Sequence, residues 1–296
     1  MLFPRPSLLA LSLSALAARV FGASLVQVKG FGGNPTKINM YIYVPDKVAT
    51  KPAIVVALHP CGGSAPSWYS GTKLPSYADS HGFILIYPGT PNMNNCWDVQ
   101  SAGSLTHGQG GDALGIVNMV NYTLAKYSGD SSQVFVMGGS SGAMMTNVMA
   151  GSYPDIFNAG AAFSGVAHAC FAGAASATPA SPNQTCAQGL QHTAAEWGNF
   201  VRNSYPGYTG RRTRMMIFHG LADTLVRPQC AIEALKQWAN VLDVTLTKNV
   251  IGVPSSAYTQ EIYGDGTKLQ GFFGTGVGHI APVNEVLLLK FFGIMT

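Results

Sequence analysis

Apolar residues recur along the chain in two rhythms. Short unbroken runs, Ala53-Ile-Val-Val-Ala-Leu58, Phe83-Ile-Leu-Ile-Tyr87, Gln133-Val-Phe-Val-Met137 and Met215-Met-Ile-Phe218, stop at Pro60, Pro88, a glycine pair and His219-Gly220. Runs this short, with no polar alternation, predict strands buried on both faces, as in a parallel sheet. Ile38–Val44 alternates instead and predicts an outer strand with one wet face. Helical spacing fills the intervals at about 111–126, 141–152, 190–204, 229–242 and 283–292. Strands separated by helices predict βαβ units, hence an α/β architecture with a doubly wound, mostly parallel sheet flanked by helices. In such sheets ligands bind at the carboxyl ends of the strands, so the residues just beyond each apolar run are the candidates for chemistry. The stretch 165–210 is long for a connection and is predicted as a loop-rich insertion near the active-site mouth.

Composition narrows the class of protein. Hydrophobic residues make up 47% of the 296 positions and charged residues only 10%, whereas soluble domains average about 25% charged. Such a chain is not disordered. The net charge is +4, and the one tight basic cluster, Arg211-Arg212-Thr-Arg214, reads as a solvated loop before a strand. No basic run interleaves with aromatics, which argues against a nucleic-acid partner.

Residues 1–23 predict a signal peptide: Arg5 supplies the positive end, Leu8–Ala18 the apolar stretch, and Val20-Phe-Gly22 or Phe21-Gly-Ala23 the small residues for cleavage. The apolar stretch is too short for a transmembrane helix. Val286–Phe292 is interrupted by Lys290 and reads as a packed final helix. The expectation is a secreted, non-membrane protein, monomeric, with 24–296 as a single catalytic domain.

Secretion makes the five cysteines readable as disulfides. Cys61 and Cys96 both follow strand ends expected on one rim and form a candidate pair. Cys170 and Cys186 would close the insertion, leaving Cys230 free, although five cysteines leave other pairings open. Asn121-Tyr-Thr and Asn183-Gln-Thr are sequons for glycosylation.

The chemistry is carried by Gly138-Gly-Ser140-Ser-Gly142, which matches G-x-S-x-G and lies between a predicted strand and a helical run beginning Ala143-Met-Met. A nucleophile elbow requires that order. Phe218-His-Gly-Leu-Ala-Asp223 sets an acid a few residues past a strand, and Gly276-Val-Gly-His279 sets a histidine in a glycine-flanked loop. Serine, acid, histidine is the chain order of α/β-hydrolases. Ser140 is therefore the expected nucleophile, His279 the base and Asp223 the acid that orients it. His59, His107 and His219 compete for the base, and Asp243 and Glu233 for the acid, but the latter two fall within or at the end of a helix. Leu58-His-Pro-Cys61-Gly-Gly63 follows an early strand. Its Cys61 N–H, with that of Ser141, is the candidate oxyanion hole.

These motifs, with Asn95-Cys-Trp-Asp98 and Thr106-His-Gly-Gln-Gly-Gly-Asp112, closely resemble the fungal acetylxylan esterases of carbohydrate esterase family 1 over essentially the whole predicted mature chain. Feruloyl esterases and polyhydroxybutyrate depolymerases are relatives of that family. One departure is Gly139, where relatives usually carry a bulkier residue. The resemblance implies a serine esterase that needs no metal or cofactor. It implies that acetylated xylan or another plant cell-wall polysaccharide is the partner and that O-acetyl groups are removed through an acyl-enzyme.

A feruloyl esterase or a polyester depolymerase is the alternative, and a non-catalytic carbohydrate-binding protein on the same scaffold would be a different class. That last reading would show a missing triad member, and none is missing. Trp97 and Trp68 are candidate sugar platforms. On this reading acetate is released from xylan faster than ferulate from methyl ferulate.

Overall fold

The computed structural model describes residues 23–172 and 183–296; the predicted signal segment through residue 22, and 173–182 of the predicted insertion, lie outside the described residues. In chain order the strands are β1 (Leu25–Val28), β2 (Asn39–Tyr43), β3 (Ile54–Leu58), β4 (Ile84–Gly89), β5 (Val134–Gly139), β6 (Ala159–Phe163), β7 (Arg214–Gly220), β8 (Leu246–Ile251), β9 (Tyr258–Tyr263) and β10 (Leu269–Gly274). The helices are α1 (Ala65–Gly71), α2 (Leu74–His81), α3 (Ala102–Leu105), α4 (Gly111–Tyr127), α5 (Ser141–Ser152), α6 (Gln184–Ala187), α7 (Ala194–Ser204), α8 (Gln229–Leu242) and α9 (Glu285–Phe292). The strands form one sheet in the order β1-β2-β4-β3-β5-β6-β7-β10-β9-β8. Its centre, β4 through β10, is parallel, and the pairs at each margin are antiparallel.

Alternation along the central strands divides the core between two faces. Ile54, Val56 and Leu58 join one apolar cluster with Ile116 and Val120 of α4, Met145 of α5 and Trp238 of α8. Val55 and Ala57 join the other, with Leu74 of α2 and Leu288 and Leu289 of α9. Burying each such aliphatic side chain is worth roughly 1.5–3 kcal/mol, and β3 is buried along its whole length.

Helices at 141–152 and 229–242 have their predicted bounds. The one predicted from 190 starts at Ala194, because Thr193 forms a capping box with Glu196. Five strands carried no readable apolar run. Ala159-Gly-Ala-Ala-Phe163 has no β-branched residue, yet it is buried between β5 and β7. Short β1 and the hairpin β8–β9 are mostly solvated margins. β10 is interrupted by Gly271, where a Cβ would crowd Leu235.

Candidate active site

Parallel strands end on one edge of the sheet, and the loops leaving β3, β4, β5, β7 and β10 meet there. Ser140 occupies the turn between β5 and α5 at φ 53°, ψ −118°, a left-handed conformation that costs energy for a residue with a Cβ. Close packing holds it there: a Cβ on Gly138 would stand 2.8 Å from the Leu58 carbonyl oxygen, and one on Gly142 would collide with the same carbonyl. The departure at Gly139 has a steric cause, since a Cβ there would stand 2.9 Å from the Trp68 ring and 3.3 Å from Ile280. Trp68 and Ile280 occupy the volume that a bulkier residue would need.

His279, in the loop after β10, places Nε2 2.7 Å from Ser140 Oγ and Nδ1 2.7 Å from Asp223 Oδ2. Asp223 is buried. Its Oδ1 accepts the N–H groups of Leu225 (2.9 Å) and Val226 (3.0 Å). His219 Nε2 donates to the Val226 carbonyl at 2.8 Å and lies 3.3 Å from Asp223 Oδ2. Burial by itself would raise the Asp223 pKa, but hydrogen bonds from His219, His279 and Val226 outweigh it and hold the carboxyl well below the usual range. The carboxylate therefore stays ionised and keeps His279 Nδ1 protonated, which leaves Nε2 free to accept the Ser140 proton.

The rival histidines lie elsewhere. His59 is fully buried, with Nδ1 2.8 Å from the Pro60 carbonyl, and burial lowers its pKa. His107 Nε2 meets Asp155 at 3.2 Å, and its ring stacks on Tyr205. Asp243 ends α8, and Glu233 accepts the Trp197 indole N–H at 2.6 Å.

Cys61 lines the same cavity as Ser140 and Ser141. Ser141 opens α5, so its N–H has no acceptor within the helix. Among the described residues no protein group accepts the Cys61 N–H. Both donors remain available to an oxygen at Ser140, and the positive end of α5 adds to their effect.

Cys61 is bonded to Cys96, and Cys170 to Cys186; Cys230 is a buried free thiol. Trp97, next to the first bridge, is 1% exposed. Its indole N–H donates to the His59 carbonyl at 2.8 Å, and its backbone N–H donates to Ser141 Oγ at 2.9 Å. Of the two candidate sugar platforms, Trp97 lines the cavity but is almost fully buried and serves as a brace tying the Cys61 loop to α5, and Trp68 lies over Gly139 outside that cavity's wall.

Asp112 fixes the Trp97 loop from below, accepting Asp98 N–H and Asn92 Nδ2 at 3.0 Å each. Asn121 is exposed on α4. Asn183 caps α6, its Oδ1 accepting Cys186 N–H at 3.1 Å. Among the described residues no three His, Cys, Asp or Glu side chains converge as metal ligands, and no helix is long and apolar enough to cross a membrane.

A cavity of about 400 Å³ opens onto Ser140 and His279. Its apolar wall is Val99, Met144, Phe171, Leu225 and Val226, with Gln100, Gln184 and Gln188 among the polar groups. Phe171 and the Gln184–Gln188 segment come from the predicted insertion, held together by the Cys170–Cys186 bridge. From sequence the insertion is expected at the mouth, but none of the wall residues is singled out; beyond the insertion, the legible trace is the apolar pair Leu225-Val226 just past Asp223.

Fold and geometry together define a carboxylic ester hydrolase of the α/β-hydrolase type. The chain belongs to the family described as esterase PHB depolymerase, which it matches over residues 38–243. It is 72% identical to a protein of Neurospora crassa named feruloyl esterase B, over 96% of this chain and 98% of that one. A Thermothelomyces thermophilus protein of the same name is 70% identical over the same shares. The solved acetyl xylan esterase from Aspergillus awamori superposes with a TM-score of 0.89 at 44% identity, covering 92% of this chain and all of that one.

Proposed function

We propose that the chain releases hydroxycinnamic acids, such as ferulic acid, from their esters on plant cell-wall polysaccharides. The observation that carries this reading is the apolar cavity of about 400 Å³ beside Ser140. An acetyl group would leave most of that space unfilled, whereas a cinnamoyl ring packs against Met144, Phe171 and Val226. The names of the two relatives at 70% identity or more point the same way. This reading sets the feruloyl alternative ahead of the acetyl preference that the motif resemblance implies, because the motifs record ester-cleaving groups and say nothing of the pocket wall. Acetylxylan deacetylation is the second reading, favoured by the close superposition on the acetyl xylan esterase.

In the proposed reaction Ser140 Oγ passes its proton to His279 Nε2 and attacks the ester carbonyl carbon. The N–H groups of Cys61 and Ser141 hold the oxyanion. Collapse expels the sugar oxygen, which takes the proton from His279. Water, giving a proton to His279, then attacks the acyl-enzyme, and the acid leaves as Ser140 regains its hydrogen. The chain acts after secretion, as one catalytic domain and as a monomer, without a nucleic-acid or membrane partner. Two disulfides fit an oxidising compartment.

The test is kcat/KM on methyl ferulate, acetylated xylan and p-nitrophenyl acetate, measured side by side. Methyl ferulate should be turned over faster than acetylated xylan releases acetate. The reverse order would sink the aromatic reading and leave the esterase.

A further inference from the structure

At the opposite end of the sheet, Arg211, Arg212, Arg214 and Lys268 line a second concavity of about 400 Å³, with Asn158, Val241 and Leu242. These residues stand where β6, β7 and β10 begin, while Ser140, Asp223 and His279 stand where strands end. Six residue steps along β7 separate Arg214 from Gly220, about 20 Å at the usual rise.

Three features set the cluster apart. First, its charge is uncompensated: among the described residues no carboxylate lies within 4.0 Å of any of the four cations. Asp265, which senses Lys268, spends Oδ1 on the N–H and hydroxyl of Thr267. In a chain with only 17 Lys and Arg in all, four in one concavity repel one another with no carboxylate in ion-pair contact among the described residues. Second, Arg212 Nη1 is closed off from solvent without a hydrogen-bond partner, so neither water nor a protein acceptor meets the charge at that nitrogen. Burial also lowers the pKa of Arg212 and of Arg214, the sign of cations drawn out of water without a counter-charge. Third, the guanidinium groups are already positioned. Arg211 donates to the Phe157 carbonyl (3.1 Å), Arg212 to Tyr208 (3.1 Å) and Arg214 to Phe291 (2.9 Å). Each keeps further N–H groups free, and Arg212 lies over the Tyr208 ring at 5.1 Å.

We propose that this concavity is a second carbohydrate-binding site, taking uronate units of an acidic cell-wall polysaccharide. Guanidinium forks match carboxylates in a planar, two-point geometry that lysine alone does not supply. The space is of the size that encloses a small ligand, and Val241 with Leu242 offers an apolar floor for a sugar face. A polymer held there is tethered to the enzyme on the face away from the ester-cleaving groups, which raises the local concentration of its esters. The choice of a polysaccharide rests on the proposed function. The requirement for an anion rests on the cluster alone.

The experiment measures binding of the Ser140→Ala protein to polygalacturonate, glucuronoxylan and neutral arabinoxylan, at low and high salt. The comparison protein also carries Arg211→Gln and Lys268→Gln, two exposed positions outside the ester-cleaving machinery. The acidic polymers should bind at least about tenfold tighter than the neutral one, and the double change should erase that difference. Free galacturonate should compete better than sulfate or phosphate at equal ionic strength. Equal binding of acidic and neutral polymers, or an acidic preference that survives the double change, would overturn the proposal. Competition by sulfate or phosphate as strong as by galacturonate would reduce the cluster to an adventitious anion site and overturn it too. In the chain with Ser140 intact, the double change should leave kcat/KM on methyl ferulate within about twofold. Loss of methyl ferulate turnover by the unmodified protein would instead count against the proposed function and leave the binding result standing.

Discussion

Among the described residues two serine–histidine pairs join distant parts of the chain, apart from the exposed neighbours Ser80 and His81, and only one of the two is in a position to do chemistry. Ser140 Oγ lies 2.7 Å from His279 Nε2, and Ser204 Oγ lies 2.6 Å from His168 Nε2. In each pair the other ring nitrogen faces an oxygen. For His279 it is the ionised Asp223 carboxylate at 2.7 Å; for His168 it is the neutral Asn147 carbonyl at 3.3 Å. A carboxylate stabilises the imidazolium that forms when serine gives up its proton, and a carbonyl does so far less. Access differs as well. His279 opens onto the 400 Å³ cavity, whereas His168 and Ser204 are both buried behind α5. The inner pair is part of a packed polar network in which Gln237 accepts the His168 backbone N–H at 2.7 Å and donates to the His168 carbonyl at 3.1 Å. A serine–histidine contact is therefore common material, and its surroundings decide its use.

The largest expected effect separates the pairs directly. Ser140→Ala should lower kcat on methyl ferulate by about 10⁴-fold or more, with the fold retained by circular dichroism. Ser204→Ala should leave kcat/KM within about threefold. A serine-directed phosphonate should label the unmodified chain at Ser140 and leave Ser204 untouched, as peptide mass spectrometry would show. Comparable losses of activity from both changes would break the comparison.

Asp223→Asn sharpens it next. Two backbone N–H groups, from Leu225 and Val226, converge on Oδ1. They would pin the amide oxygen of Asn on that side and turn its NH2 toward His279. The ring would then carry its proton on Nε2 and could not accept one from Ser140. The expected loss in kcat is about 10³–10⁴-fold with KM little changed. A loss below tenfold would show that the carboxylate does no more than fill space.

The sequence made some of this readable and hid the rest for physical reasons. The helix after Ser140 and the order Ser140, Asp223, His279 follow from apolar periodicity and from glycines that permit close approach, both written locally. β6 was hidden because a strand wedged between two others can be built of alanine and glycine, with burial supplied by its neighbours. β10, which delivers His279, was hidden by Gly271, whose small size accommodates Leu235 of α8. Trp97 looks from sequence like a sugar platform, since nothing local says that its N–H reaches back 38 residues to His59. His219 looked like a rival base, although its four-residue spacing from Asp223 sets it behind the acid. The acyl pocket was least legible of all, because its wall is gathered from the Val99, α5 and Leu225 regions as well as from Phe171 of the predicted insertion.

The smallest expected effect concerns pH and the inner pair. Burial pushes the His168 pKa down to about 4, below its ordinary 6.5. Between those values the unfolded chain binds a proton at this position and the folded chain does not. Stability must then fall as the pH is lowered through that window, and it is fully present above about 6.5. A displacement of this size corresponds to roughly 3 kcal/mol at the bottom of the window. Asp223 acts in a separate range: its folded pKa is depressed, so the stability it contributes is lost only as the pH drops below the ordinary carboxylate value near ~4. Urea unfolding between pH 4.5 and 7 should therefore report His168 together with His59, whose pKa burial also lowers, in steps that bracket ~6.5. His168→Gln keeps a polar group for Ser204 and removes the titration, so its stability should be lower at pH 7 but flatter across the window. A slope unchanged by His168→Gln would mean that the ring gains its proton without unfolding. The inner pair would then be open to water, and the contrast with Ser140 and His279 would rest on the carboxylate alone.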